Sequence, residues 1–357
     1  MTAGFFAPMP PAPTGVADYA SNLLRALRTH GSVELSGGNV KLYHLGNNGL
    51  HREIYFRALR EPGVIVLHDA VLHHFLLGTL TRDQYVEEFR YNYGDWTDCL
   101  AAELWNRRGL SASDERYFEF PMLRRVCETS RAVIVHNPAA VRAVARHCPS
   151  VEVFEIPHLF VPEPRPSEVE ILDIRRALAV RPEEPLCAVF GYLRESKRIR
   201  TVIEACGAAQ IRLLIAGTCP NDLAKSLAPY FCLPWVVRRP FADYRTYTLL
   251  RHAADICANL RYPSAHETSG ITVSLMGGGK TVLVSNAEEN SGYPGDACVR
   301  IDSGIAERDH VTSILTWLRE FPSYIRDVGS RAQLHIGQEH SVERVAAMYW
   351  DAIRATA

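Results

Sequence analysis

The sequence lacks closely paired cysteines: it contains nine cysteines but no C-x-x-C pair. Because such pairs are the usual signature of zinc and redox sites, their absence argues against a metal centre. Several cysteines lie within apolar segments, where a free thiol behaves as a small hydrophobic side chain. This usage favours a reducing cytoplasm as the location of the protein.

Other features are also missing. The formal net charge is only −1, so no overall electrostatic attraction to nucleic acid is expected. No apolar run reaches the length of a membrane span, and Met1–Pro13 lacks the basic region of a signal peptide. Basic and aromatic residues at 81–128 would allow a weak peripheral contact with the inner face of the membrane, but interleaved acids favour a solvated helical face. The G-x-G-x-x-G fingerprint is absent, which argues against an ordinary NAD site.

What is present is an alternation of apolar strands and helices. Short apolar runs such as Pro185–Leu193 and Trp235–Phe241 are typical of strands buried on both faces. Their alternation with helices predicts parallel sheets. A proline-rich segment, Pro157–Pro166, reads as a linker between two such regions.

The sequence therefore predicts an α/β protein with two Rossmann-like domains, whose parallel sheets face a central cleft. An N-terminal domain is expected over 1–160, with a helical insert at about 81–128. A C-terminal domain is expected over 167–335, followed by a last helix within 336–357.

The segment around Glu267 is the most informative, because it precedes a predicted helix at Ser269–Met276. Helix N-termini bind phosphate through unpaired N–H groups and a positive dipole. A carboxylate there repels a diphosphate but accepts hydrogen bonds from sugar hydroxyls, so the combination predicts a nucleotide-sugar site. Alternatively, Glu267 is only a charge favoured by the helix dipole, and Gly277–Gly279 only end the helix.

Two sites in the N-terminal half follow predicted strands. Gly15, after the first strand, permits close approach of a ligand to the backbone, unless Thr14 simply caps a helix. His68 could bind a sugar hydroxyl, and Asp69 could orient or activate an acceptor hydroxyl; His68 could equally be structural. The nearby His73 and His74 are adjacent and point apart on a helix, which disfavours a metal site.

A basic loop follows Gly191 in the second half. Lys197 or Arg194 could neutralise a diphosphate, or the loop could simply be solvated. Lys197 and Glu267 both follow carboxyl ends of predicted strands in one domain, which favours the functional interpretation.

At these four places the chain resembles the family-4 retaining glycosyltransferases of the GT-B fold. The resemblance runs nearly end to end and rests on motifs at strand ends. These motifs are Pro10–Tyr19, Leu45–Asn48, Val66–Asp69, Ala132–Asn137, Glu155–His158, Phe190–Leu193 with Lys197–Arg198, and Asn259–Pro263 with Glu267–Gly270.

The resemblance implies transfer of a sugar from a GDP- or UDP-sugar, with retained anomeric configuration, to a glycan or lipid-linked glycan in polysaccharide biosynthesis. It also implies that 1–160 form the acceptor domain and 167–335 the donor domain, with the helix in 336–357 packing back on the N-terminal domain. It implies no cofactor and no metal, because basic residues and amides would stabilise the departing diphosphate. The expected catalytic residues are His68, Asp69, Lys197 and Glu267. The expected donor-binding residues are Gly15, Val16, Gly191, Arg194, Lys197, Glu267, Thr268, Ser269, Gly270 and Ile271.

Three departures from the family pattern support alternatives. Leu275 stands where a ribose-binding glutamate often lies, and Tyr192 where an arginine often lies. The stretch between Thr29 and Lys41 is short, so the N-terminal domain is expected to lack a strand–helix unit. The alternatives are a GT-B protein that binds a nucleotide or partner without turnover, and a nucleotide-sugar epimerase.

Overall fold

The computed structural model describes residues 1–240 and 243–357, which contain two six-stranded parallel sheets. The first sheet has the order β2-β1-β3-β4-β5-β6 and the second the order β12-β11-β10-β7-β8-β9. The strands are β1 (Thr2–Phe6), β2 (Ser32–Leu35), β3 (Val40–Leu45), β4 (Val64–Leu67), β5 (Ala132–Val135), β6 (Glu152–Glu155), β7 (Leu186–Phe190), β8 (Arg212–Ala216), β9 (Val236–Arg239), β10 (Ile256–Asn259), β11 (Thr281–Ser285) and β12 (Val299–Ile301).

Helices connect most of these strands, as parallel pairing requires. They are α1 (Gly15–Leu27), α2 (Arg52–Arg60), α3 (His73–Thr79), α4 (Arg82–Tyr93), α5 (Asp98–Asn106), α6 (Arg116–Glu119), α7 (Arg124–Glu128), α8 (Pro138–His147), α9 (Glu168–Ala177), α10 (Ile199–Ala208), α11 (Asn221–Phe231), α12 (Tyr244–Ala253), α13 (Gly270–Gly277), α14 (Glu307–Glu320), α15 (Pro322–Glu339) and α16 (Val342–Ala355). The predicted α/β class is confirmed. Phe241, the last residue of the strand predicted at Trp235–Phe241, lies outside the described residues.

The chain forms two compact units. Unit 1 comprises Met1–Leu159, Pro263–Gly270 and Glu339–Ala357, and unit 2 comprises Phe160–Tyr262 and Ile271–Gln338. The change of unit after Leu159 falls within the predicted linker. Unlike the prediction, the segment Pro263–Gly270 belongs to unit 1 and not with the rest of the expected donor domain.

Unit 1 contains a strand that the sequence reading missed. Strand β2 pairs with β1 in parallel, so only a helix is lacking between Thr29 and Lys41, and the expected loss of a whole strand–helix unit is wrong. The chain returns from β2 to β3 across β1 through Gly37 and Gly38. A Cβ on Gly4 would lie 1.6 Å from the Gly37 oxygen, so the crossing requires glycine in β1.

The insert at 81–128 contributes helices α4 to α7 to the core of unit 1. Tyr85, Phe89, Leu104 and Tyr117 are fully buried there. The two adjacent histidines before the insert do point apart: His73 bonds the Tyr85 hydroxyl, while His74 bonds the Ser111 carbonyl.

Helix α16 packs on α1 within unit 1. The Tyr349 hydroxyl lies 2.8 Å from that of Tyr19, and the Trp350 indole N–H donates to the Leu27 carbonyl at 2.8 Å. The side chains of Tyr349 and Trp350 are both buried. The final helix is thus a structural part of the first sheet's domain.

In unit 2, glycines end helix α13. Gly279 has φ +74°, and the Lys280 amide donates to the Leu275 carbonyl at 3.0 Å, which is the left-handed helix end that glycine favours. No helix in the described ranges is long and apolar enough to cross a bilayer.

Candidate functional site

Four histidines meet at the carboxyl edge of the first sheet, around the ring of Tyr19. We call His44, His68, His136 and His158 the histidine cluster. The Tyr19 ring lies 4.9 Å from that of His68 and 4.6 Å from that of His158, centroid to centroid. His68 Nε2 lies 3.0 Å from His44 Nδ1, so His44 fixes the orientation of the predicted catalytic imidazole.

Burial keeps the histidine cluster neutral. Desolvation lowers the pKa of His136 to about 4 and that of His158 to about 3, with neighbouring imidazolium charge adding to the effect at His158. The pKa values of His44 and His68 are also well below the ordinary value, for the same first cause. The cluster therefore presents imidazoles that accept or donate hydrogen bonds without charge at neutral pH.

Asp69 is engaged in fixing the loop after β3. Its Oδ2 accepts a hydrogen bond from the Asn47 amide at 2.8 Å. The Asn47 side chain in turn accepts from the Phe75 amide at 2.8 Å and so holds the start of α3. This geometry gives Asp69 a structural task beside the catalytic role that the sequence suggested.

Gly15 is exposed at the first position of α1, one turn before Tyr19. Thr14 caps the helix, and its hydroxyl accepts from the Val16 amide at 3.4 Å. A Cβ on Gly15 would meet no atom within 4 Å. The fold itself therefore does not require glycine here, which leaves room for a ligand to approach the backbone.

The segment that carries Glu267 is clamped to the same edge. Asn137 caps α8 and also donates through Nδ2 to the His266 carbonyl and to Thr268 Oγ1, both at 3.0 Å. The Thr268 hydroxyl donates to the His136 carbonyl at 3.0 Å. Thr268, predicted to bind the donor, thus has its hydroxyl committed to the fold.

Glu267 is partly buried in this clamped segment. Its Oε2 accepts from the Ala265 amide at 2.9 Å, which orients the carboxylate. Gly270 lies against His158, since a Cβ there would be 3.1 Å from the imidazole. Ser269 is buried beside it. Unit 1 thereby brings together the predicted residues Gly15, His68 and Glu267–Gly270.

In unit 2, the predicted donor-binding residues Gly191, Lys197 and Ile271 lie together at the carboxyl end of β7. Gly191 has φ +87°, and a Cβ on it would lie 2.2 Å from Ile271 Cδ1 and 3.4 Å from Lys197 Nζ. Lys197 is buried, and its Nζ donates to the Phe190 carbonyl at 2.6 Å. A buried ammonium is thus held against a strand end where only glycine fits.

The loop that carries Lys197 is tied to the neighbouring strand. The Tyr262 amide, after β10, donates to the Ser196 carbonyl at 2.8 Å. Arg194 precedes a short 3₁₀ turn at Glu195–Lys197 and is exposed, as is Tyr192. Arg194 is therefore less well fixed than Lys197.

Leu275 belongs to the core of unit 2. It is 2% exposed and packs in a cluster with Val273, Met276 and Val282. An apolar, buried side chain makes no polar contact with a ribose. Any nucleoside must therefore be bound by residues other than Leu275.

Sequence reasoning singled out His68 but overlooked the other three members of the histidine cluster and Asn137. The available signal was the one used for His68: each histidine lies at or just after the end of a predicted strand, and parallel strands end at one edge. Within the described part of the chain, no group of three or more His, Cys, Asp and Glu side chains is arranged to hold a metal ion.

Comparisons with solved structures identify the fold. The structure of HepE from Anabaena in complex with UDP-glucose is similar over 99% of this chain and 100% of that chain, with a TM-score of 0.67 and 14% identity. The sucrose-phosphate synthase from Thermosynechococcus elongatus is similar over 99% and 98%, with a TM-score of 0.67 and 15% identity. WaaG, a glycosyltransferase involved in lipopolysaccharide biosynthesis, covers 100% of both chains with a TM-score of 0.64 and 12% identity.

These similarities establish the GT-B fold for the chain, as the sequence predicted. No model of a protein family matches the sequence. No curated protein matches it either.

Proposed function

We propose that the protein is a retaining glycosyltransferase that moves a sugar from a UDP-sugar to a glycan or lipid-linked glycan. The observation that carries the proposal is the buried Lys197 ammonium, held beside Gly191 at the carboxyl end of β7. In open α/β folds, ligands bind outside the carboxyl ends of the strands. The GT-B structures of HepE with UDP and with UDP-glucose support a UDP-sugar rather than a GDP-sugar as the donor.

In this mechanism Lys197 carries the main electrostatic task. Breaking the bond between sugar and diphosphate places additional negative charge on the departing phosphate. A fixed cation that faces this charge stabilises the transition state more than the ground state. The Phe190 carbonyl holds the ammonium in place beforehand, so little reorganisation is needed during the reaction.

Unit 1 by itself carries groups that suit a sugar and a phosphate. The Glu267 carboxylate, oriented by the Ala265 amide, accepts hydrogen bonds from donor hydroxyls. The neutral His68 imidazole, oriented by His44, contacts the transferred sugar near the reacting carbon. The exposed backbone at Gly15 and the start of α1 receive the diphosphate. The proposal requires no metal, since Lys197 and backbone amides neutralise the phosphates.

The test is a panel of UDP- and GDP-sugars incubated with the purified protein and a mixture of glycan acceptors, with and without EDTA. We expect nucleotide release from a UDP-sugar that EDTA does not abolish. NMR of the product should show the anomeric configuration of the donor. An inverted product would contradict the retaining mechanism, and loss of turnover in EDTA would contradict the metal-free assignment.

One observation favours a second candidate, a GT-B protein that binds a nucleotide without turnover. Leu275 is buried in the core at the position where the family often has a ribose-binding glutamate. This candidate predicts a rise in unfolding temperature with UDP but no release of UDP from any UDP-sugar in the panel. An epimerase would instead interconvert free UDP-sugars without any acceptor.

A further inference from the structure

A cavity lies wholly within unit 1, beside the carboxyl ends of β1 and β2. It is an open cavity of about 840 Å³, lined by the ends of these strands and by helix α2. Phe6 and Met9 form an apolar floor, and Leu35, 52% exposed, stands at the rim. None of the groups assigned above to catalysis or donor binding lines this cavity.

Helix α2 gives the cavity a cationic wall. Arg52, Arg57 and Arg60 line it, against a single lining carboxylate, Glu53. Arg52, Phe56 and Arg60 recur at four-residue intervals and so share one face of α2, over about 12 Å of helix. The wall is therefore a stripe of positive charge with an aromatic ring at its centre.

Among the residues that the structure describes, only Arg57 of these three arginines has a carboxylate partner, and its guanidinium also lies 4.5 Å from the centre of the Phe6 ring. In the described ranges, neither Arg52 nor Arg60 has a carboxylate within salt-bridge distance, whereas Arg57 lies 3.5 Å from Glu61. The Nε–H group of Arg57 is buried and makes no hydrogen bond to the described residues. Arg52 directly follows a 3₁₀ turn at Gly49–His51, and its guanidinium lies 5.3 Å from the centre of the Phe56 ring. An anion in the cavity would add the negative charge that Arg52 and Arg60 lack.

We propose that this cavity binds the acceptor and selects an acidic saccharide, one that carries carboxylate or phosphate groups. Guanidinium groups form paired hydrogen bonds with carboxylates and phosphates. The arginines would therefore bind an acidic saccharide more tightly than a neutral one. The partly exposed side chains of Phe56 and Met9 suit the C–H faces of a sugar ring. The inference rests on the proposed transferase function and adds the chemical class of its acceptor.

The position of the cavity fits an acceptor. It is lined by the carboxyl ends of β1 and β2, which lie on the same sheet edge as His68 after β4. Strand β1 is separated from β4 by β3 alone, so the two strand ends lie about 10 Å apart at the usual strand spacing. A saccharide of two or three units bound by α2 would reach from the arginines toward the reacting carbon.

Binding of a matched pair of disaccharides tests the inference without any donor. Digalacturonic acid and the neutral α-1,4-galactobiose differ only in their two carboxylates, and inorganic phosphate serves as a lone anion. By calorimetry we expect the acidic disaccharide to bind at least tenfold more tightly than the neutral one, with weakening at higher salt. Inorganic phosphate should bind much more weakly than the acidic disaccharide.

Paired variants locate the site. In the double variant Arg52→Gln/Arg60→Gln, binding of the acidic disaccharide should weaken about tenfold. The matched control Arg25→Gln/Arg146→Gln removes two exposed arginines elsewhere in unit 1 and should bind like the wild type. Equal binding of the two disaccharides, phosphate binding as tight as that of the acid, no binding of either disaccharide, or equal loss in both double variants would overturn the inference.

The inference and the proposed function fail separately. A wild-type protein that releases UDP from a UDP-sugar but does not prefer the acidic disaccharide contradicts the acceptor assignment alone. A wild-type protein that prefers the acidic disaccharide but turns over no nucleotide sugar contradicts the transferase proposal alone. Thermal unfolding of each double variant confirms that the comparison is made between folded proteins.

Discussion

At the scale of single residues, Gly15 offers the cleanest separation of stability from function. Because a Cβ at this position meets no atom within 4 Å, Gly15→Ala should leave the unfolding temperature unchanged or slightly raised. If the diphosphate approaches this backbone, the added methyl group should lower kcat/KM for the donor at least tenfold. Steady-state kinetics with wild-type-like donor kcat/KM would remove Gly15 from the site.

Glu267 gives a second residue-scale prediction. Glu267→Gln keeps an oxygen that can accept from the Ala265 amide but loses the carboxylate charge. We expect kcat/KM for the donor to fall about tenfold to a hundredfold, because hydrogen bonds to a charged acceptor are the stronger kind. Ser264→Ala, which removes a hydroxyl 3.5 Å from the same carboxylate, is the matched control and should have a much smaller effect.

Some contacts of the predicted site residues could be foreseen from the sequence and others could not. The proximity of Gly191 and Lys197 could be foreseen, because both directly follow one apolar strand and are close in the sequence. The contacts of the Thr268 hydroxyl could not, because His136 and Asn137 lie some 130 residues away in the sequence. Hydrogen bonds between residues so far apart in the sequence cannot be predicted from the pattern of neighbouring residues.

At the scale of elements, the crossing of β1 by the β2–β3 connection sets a strict limit on one strand residue. Gly4→Ala would push a methyl group into the Gly37 carbonyl, and overpacking of this kind costs about 3 kcal/mol. Gly49→Ala, where a Cβ meets nothing within 4 Å, is the control. Denaturant unfolding should separate the two variants; equal free energies of unfolding would mean that the crossing tolerates a side chain.

The same element explains one error of the sequence reading. Strand β2 is only four residues long, has a single buried residue and is joined to β3 by a short turn without a helix. The sequence of β2 contains no long apolar run, and no helix follows it, so it was not predicted. By contrast, β4 and β5 are continuous runs of buried residues, and the sequence predicted both. The pairing of β2 with β1 is a tertiary property.

The histidine cluster makes the ends of β3 to β6 sensitive to acid. The pKa values of His136, about 4, and His158, about 3, lie below the ordinary value near 6.5. At a pH between the folded pKa and 6.5, each of these histidines is protonated in the unfolded chain but neutral in the folded one. The free energy of unfolding therefore falls as the pH drops below 6.5. Each such group should contribute a slope of about 1.4 kcal/mol per pH unit.

Denaturant unfolding at pH 7, 6 and 5 measures this slope, before most carboxylates protonate. His158→Phe, which keeps a ring beside Tyr19 but removes one buried base, should reduce the slope. A free energy of unfolding that is constant from pH 7 to 5 would show that the histidines are not held neutral.

At the scale of the whole molecule, the two ends of the chain are joined through the packing of α16 on α1. Trp350 is 5% exposed and donates to Leu27, so Trp350→Ala should lower the free energy of unfolding by about 3–5 kcal/mol. Trp96, 77% exposed in the same unit, provides the control, and its replacement by alanine should cost little. Similar losses in both variants would contradict a structural role for α16.

The architecture was the part most accessible to sequence reasoning, since two series of buried strands alternating with helices leave few folds open. The assignment of Pro263–Gly270 to unit 1 was not accessible, because it depends on the Asn137 clamp. That clamp holds the residues on either side of Glu267 at the end of β5, through the side chain of Asn137 and the carbonyl of His136.

The most direct measurement of the central claim is the rate of UDP release from UDP-sugars by the wild-type protein and by Lys197→Met, side by side. The account predicts release by the wild type, and a kcat lower by about a hundredfold to a thousandfold in the variant, as for loss of a group that stabilises transition-state charge. Comparable unfolding temperatures would establish that the variant is folded. Equal kcat values in the two proteins, or no release of UDP from any UDP-sugar by the wild type, would contradict the account.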